Sequence, residues 1–193
     1  IFLLQHFIIN ITSVFSEEIF NMLSHFMGTN PLVQFILQPI LIAGVLFHFI
    51  MGFYLEIQNR KAAKYEYQKE KGSANSTWMS RNMITSGLVI LAFLVLHFID
   101  FWVPEMNYKY IEFLPEDPNR YYEELVHKFE NPLRVAMYCI SFVLLALHLL
   151  HGFTSSLRSM GTNKSYVSSA KTAGIVYSIG IPLGFCVIAI FHY

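Results

Sequence analysis

The sequence predicts an all-α integral membrane protein, and two observations carry that prediction. The first is composition: of 193 residues, 54% are hydrophobic and only 13% are charged, about half the charged share usual in soluble domains. Mean hydropathy is +0.45. The second is spacing. A membrane span needs about 20 apolar residues, and the apolar residues gather into five runs of roughly that kind, at about 1–15, 31–56, 82–102, 132–156 and 172–193. Most charged residues fall between the runs. The formal net charge is zero, which gives no field for drawing in nucleic acid.

The first run opens without an initiator Met, so the N-terminal part of its helix is expected to be missing; the stretch reads as the tail of a span, not as a signal peptide. Ser16 before Glu17 and Glu18 is an N-cap with acids in the first turn. Ile19, Phe20, Leu23, Phe26 and Met27 then form the apolar face of a short interfacial helix ending at Gly28. The second and fourth runs begin at Pro31 and Pro132, which suit a first helical turn where no donor is lost. Pro39 predicts a kink in the second run, and Pro182 lies inside the fifth. Asp117-Pro118 starts a second surface helix carrying Tyr121, Tyr122, Leu125, Val126 and Phe129.

Lys and Arg set the topology. The connection between the second and third runs carries Arg60, Lys61, Lys64, Lys69, Lys71 and Arg81, and the fourth-to-fifth connection carries Arg158, Lys164 and Lys171. The third-to-fourth connection has only Lys109, Arg120 and Lys128, and the first-to-second has none. The positive-inside rule places the two basic connections in the cytoplasm, with the C-terminus outside.

Four of the five runs carry a deep histidine: His6, His48, His97, and the pair His148 and His151. Ionisable groups within a span are costly and mark function. At 1.5 Å rise per residue, His48 lies about 26 Å below the outer entry at Pro31, and His148 and His151 about 24 and 28 Å below Pro132. His97 lies about 22 Å from the cytoplasmic entry, and His6 lies near the outer end of its run. The histidines therefore form two layers: His48 with a fourth-run histidine toward the cytoplasm, and His6 with His97 outside. Spacing alone does not choose between His148 and His151. Two layers of paired imidazoles in a helix bundle suit two bis-histidine b-type haems. Gly44 and Gly52, one turn either side of His48, leave a slot for a flat macrocycle. The fifth run has no deep ionisable residue and is expected to flank a four-helix haem-binding bundle, with Gly180-x-x-x-Gly184 as a helix contact. Cys139 and Cys186 lie inside apolar runs and there is no Cys-x-x-Cys-His, so covalent haem attachment and a disulfide framework are excluded.

Four stretches carry a family resemblance: Gln5-His6-Phe7; Phe47-His48-Phe49 followed by Arg60; Leu96-His97-Phe98; and His151-Gly152 followed by Arg158 and Gly161. Across essentially its whole length the chain resembles the five-helix, di-haem cytochrome b subunit that anchors succinate dehydrogenase and fumarate reductase complexes, most closely the version of Bacteroidetes-type bacteria. The resemblance implies a single cytochrome b domain over 1–193 and a bacterial inner-membrane location. It implies axial pairs His6 with His97 and His48 with His151, His151 being the histidine of the family's His-Gly pair, with His148 beside them. It also implies a flavoprotein and an iron–sulfur subunit on the cytoplasmic loops 60–82 and 158–171, electron transfer to menaquinone, and a dimer of the whole complex. Two family glutamates are replaced, by Leu149 and by Met27 at the approximate counterpart position, which favours succinate oxidation over a proton-coupled fumarate reductase.

Beside the resemblance stand expectations for the remaining site residues. Trp78, Ser80, Arg81 and Arg158 lie at the inner ends of the third and fourth runs and are expected to hold the inner propionates. Asn10, His25, Phe26, Met27 and Asp100 lie around the outer layer and are expected to form a quinone site, with His25 and Asp100 moving protons. No flavin or dinucleotide motif is present. The alternatives are a stand-alone b-type transmembrane reductase and a histidine-based metal or proton transporter.

Overall fold

The computed structural model describes residues 1–62, 82–159 and 164–193, nearly all helical and with no strand among them. Helix α1, Phe2–Ile11, tightens into a 3-10 turn at Thr12–Val14. Helix α2 is Glu17–Thr29, and the Ser16 side chain accepts from the Ile19 N–H at 3.3 Å, as an N-cap should. Helix α3 is Gln38–Ala62, α4 Met83–His97, α5 Val103–Tyr110, α6 Arg120–Phe129, α7 Pro132–Ser159 and α8 Lys164–Phe191. The starts of the second and fourth predicted spans share one device. Asn30 Oδ1 accepts from the Leu32 N–H and Asn131 Oδ1 from the Leu133 N–H, each at 2.9 Å, so an Asn caps the helix and the following Pro fills its first turn.

The expected kink at Pro39 takes the form of a π-helical turn, Val33–Leu37, immediately before α3. A second π turn, Phe98–Trp102, joins α4 to α5 just ahead of Pro104. The cause is the same in both places. Proline supplies no N–H for the i−4 carbonyl, and the residue before it bonds a carbonyl five residues away instead: Gln38 to Val33, and Val103 to Phe98. Because the helix continues through its π turn, the third span reaches Tyr110, beyond its predicted end.

The structure corrects two expectations. Four stretches among the described residues are long and apolar enough to cross a membrane, Val33–Lys61, Met83–Tyr110, Pro132–Leu157 and Ser169–Phe191, where five were expected; Phe2–Val14 is a shorter apolar helix. The chain is thus a multi-pass membrane protein with four such helices. The helix expected on the flank, α8, is instead the most covered of the four, and α3 the least. α8 packs along α7 and also receives α1. At Gly184 a side chain would overlap the Phe7 ring, so the glycine allows α1 to approach closely. α3 touches α4 only lightly.

The core joins Phe93 of α4, Val135, Tyr138 and Phe142 of α7, and Ile181, Phe185 and Ala189 of α8. Phe20, Leu125 and Phe129 extend it into a cap formed by α2 and α6. We call this the cap end of the bundle and the opposite one the loop end. Ionic contacts tie the cap to α5: Glu105 meets Lys109 and Arg120, Arg120 also meets Glu124, and Lys109 donates to the Gly28 carbonyl.

Candidate histidine layers and an amide-lined cleft

The cap-end layer is built from α1 and the last residue of α4. His6 and His97 meet edge to face with ring centres 5.8 Å apart. Phe2 stacks on His6 at 5.5 Å, and Phe185 of α8 lies against it at the same separation. His97 sits among Phe93, Phe101 and Tyr138 at 5.9, 5.2 and 6.3 Å. Asn10, one turn beyond His6, donates to the His6 carbonyl at 2.7 Å and lies 3.3 Å from its Nδ1. His97 Nδ1 is buried and has no hydrogen-bond partner, a costly state for a ring nitrogen.

The loop-end layer is more open. His48 of α3 is exposed, and its ring meets His148 of α7 edge to face at 6.2 Å. His148 Nδ1 lies 3.2 Å from Ser86 Oγ. His151 is half-buried on the same helix, but the ring contact of His48 is with His148. A Cβ added at Gly44 or Gly52 would meet nothing within 4 Å, so the flanks of His48 are free space.

Two imidazoles on one iron, each bonded at about 2 Å, have ring centres about 6 Å apart. The His6–His97 and His48–His148 separations lie near that span, and the open flanks of Gly44 and Gly52 leave room beside His48. In ligand type and ring separation these pairs are compatible with an iron held between two imidazoles. Among the described residues no three His, Cys, Asp or Glu side chains come together as a metal cluster; a haem iron needs only two protein ligands.

The expected quinone residues make their contacts outside their own set. Asp100 is 2% exposed and turned inward, paired with Arg134 of α7 and accepting from Tyr138 OH at 2.8 Å. His25 Nε2 lies 3.5 Å from Glu116. Phe26 is exposed, and Met27 Sδ accepts from Gln5 Nε2 at 3.4 Å. A cleft of about 180 Å³ lies elsewhere, between Gln34, Gln38 and Ile42 on one wall and Trp102, Met106 and Tyr110 on the other. Tyr110 OH donates to Gln34 Oε1 at 3.2 Å. Both π turns border it, and π turns recur at functional sites. Trp78, Ser80 and Arg81 lie outside the described residues, as does the side chain of Arg158.

Sequence reasoning missed Arg134 and Tyr138. Their signal was present: Arg134 is a cation in the opening turn of an apolar run, and Tyr138 follows it four residues later on the same face. Compared with family models, curated proteins and solved structures, the chain matches none.

Proposed function

We propose that the chain is the haem-bearing membrane anchor of a succinate:quinone oxidoreductase. One observation carries the proposal: histidine rings meet at two levels of one apolar bundle, His6 with His97 at 5.8 Å and His48 with His148 at 6.2 Å. His6 and His97 hold the haem of the cap-end layer. His48 and a histidine of α7 hold the other: the family resemblance implies His151, with His148, which meets the His48 ring and lies against Ser86, orienting the pair from beside it. Haem supplies a one-electron relay in each layer. The protein's own share is to fix the imidazoles, exclude water with Phe2, Phe93, Phe101, Tyr138 and Phe185, and place both layers along one electron path.

The loop end then faces the cytoplasm, where loops 60–82 and 158–171 receive an iron–sulfur subunit and, through it, a flavoprotein that carries the dicarboxylate chemistry. A quinone such as menaquinone enters the cleft between the π turns. Gln38 and Trp102 carry neutral N–H donors there, suited to carbonyl oxygens, and Ile42 and Met106 suit a ring face. None of Asn10, His25, Phe26, Met27 and Asp100, the residues expected from the sequence, lines this cleft.

The test is purification from native membranes followed by a reduced-minus-oxidised visible spectrum, subunit identification and a succinate:quinone assay. Two b-type haems per chain, flavin and iron–sulfur partners, and succinate-driven quinone reduction are expected. A haem-free chain refutes the reading and leaves the transporter alternative; haem without those partners makes the chain a stand-alone reductase.

A further inference from the structure

Among the described residues two charged side chains are buried, Arg120 in the cap and Asp100 beside the cap-end histidine layer. Asp100 lies on the π turn that follows His97 and is 2% exposed. One carboxylate oxygen accepts from Arg134 and the other from Tyr138 OH, 2.8 Å away. Arg134 and Tyr138 are four residues apart on α7 and share a face, so a single carboxylate bolts α4 to α7 one turn beyond His97. The Tyr138 ring also touches His97, with centres 6.3 Å apart. The two charges are unequally placed: the Arg134 side chain is 32% exposed and that of Asp100 2%. Asp100 follows His97 by three residues in the same continuous helix, whereas Arg134 reaches the carboxylate from one turn before Tyr138, the residue that touches His97, so the field at His97 is weighted toward the anion. A bolt alone needs no charge, because well-packed apolar side chains of similar volume join two helices at least as well.

We propose that Asp100, held by Arg134 and Tyr138, is a positioning residue that seats His97 and sets the reduction potential of the group bound between His6 and His97. The proposal rests on the haem-anchor reading. A negative field favours the more positive, oxidised form of a one-electron centre. Asp100 therefore lowers the potential of the cap-end centre, and Arg134 moderates that effect. A unit charge about 12 Å away, at an effective dielectric of about 20, changes such an equilibrium roughly tenfold, which is about 59 mV for one electron.

The experiment is an optical redox titration of the purified complex with the two haems resolved. Asp100→Asn raises the cap-end potential by about the tenfold equivalent, Arg134→Gln lowers it, and the double variant returns near the wild-type value. The centre at His48 does not move in any of them. If Arg134→Gln fails to assemble, the charge-keeping Asp100→Glu takes its place and returns the potential toward wild type where Asp100→Asn does not. An unmoved cap-end potential in Asp100→Asn with both haems bound overturns the proposal, as do same-signed shifts in both single variants. A wild-type chain without b-type bands overturns the haem-anchor reading itself, and this proposal with it.

Discussion

Replacing Arg120 by Met should destabilise the cap by about 3 kcal/mol and release the cap-end haem before the other. Arg120 is 7% exposed. Its guanidinium pairs with Glu105 and, at 2.7 Å, with Glu124. It also lies 4.1 Å from the Tyr108 ring centre and 4.5 Å from that of Tyr121. Burial works against its charge, but the bonds and attraction of Glu105, then those of Glu124, outweigh burial and raise the Arg120 pKa. Burial, with the charge and hydrogen bond of Glu105, raises that of Tyr121 as well. Removing one partner of a buried ion pair costs about 3–5 kcal/mol. Here Glu105 keeps Lys109 and the Tyr121 hydroxyl, which accounts for the lower end of that range. The lost ring contacts add about 1 kcal/mol, and the Met stem recovers part of it by packing. Glu105 stands on α5, directly beyond the π turn that follows His97, so a loosened cap frees the seat of the cap-end pair first. Unfolding in detergent should be followed by circular dichroism and by the haem band, with Glu105→Gln completing a double-mutant cycle whose coupling is about 1–3 kcal/mol. A stability change below about 0.5 kcal/mol, the usual range of a plain surface substitution, refutes the reasoning, as does simultaneous loss of both haems.

Further expectations concern the other layer and the end of the chain. His151→Ala should remove the loop-end haem, whereas His148→Ala and Ser86→Ala should leave it bound with about 10–100-fold weaker retention; retention in His151→Ala with loss in His148→Ala would exchange the two roles. His192 lies just beyond the last span, 7% exposed, with Nε2 2.9 Å from Ser13 Oγ. Burial lowers its pKa from 6.5, so the folded chain takes up the proton less readily than the unfolded one. Its contribution is intact above about pH 6.5 and declines as pH falls from there toward the lowered folded value. His192→Gln should flatten that limb of the stability–pH profile, and an identical slope in both proteins would show that His192 does not carry it.

Depth along the membrane was legible in the sequence because it depends only on residue count. The capped starts at Asn30-Pro31 and Asn131-Pro132 anchor the count, and 1.5 Å per residue carries it to His48 and His148. Rotation about each helix was not legible. The proline-driven π turns at Val33–Leu37 and Phe98–Trp102 each insert a residue, and one residue turns every later side chain by about 100°. A count from the span entry therefore reaches Asp100 at the right depth but cannot say that it faces α7 and Arg134 instead of a quinone. The amide cleft escaped for the same reason, since it exists only where the two π turns border a common space.

The placement of the helices shows a second limit. α8 was expected on the flank because it carries no deep ionisable residue, yet the absence of a ligand says nothing about packing. Its buried face is set by Ile181, Phe185, Ile188 and Ala189, with Gly184 admitting Phe7, a stripe at helical spacing that matches one side of α7. α3 is apolar all round, so no stripe selects the side that faces the bundle. The feature that distinguishes its faces is His48 with its two glycine neighbours, whose flanks are open. An imidazole left toward hydrocarbon is costly, and α3 gains little from its light contact with α4. On the haem-anchor reading, ligation by His48 holds α3 where apolar packing does not, and composition and hydropathy carry no signal for that contact.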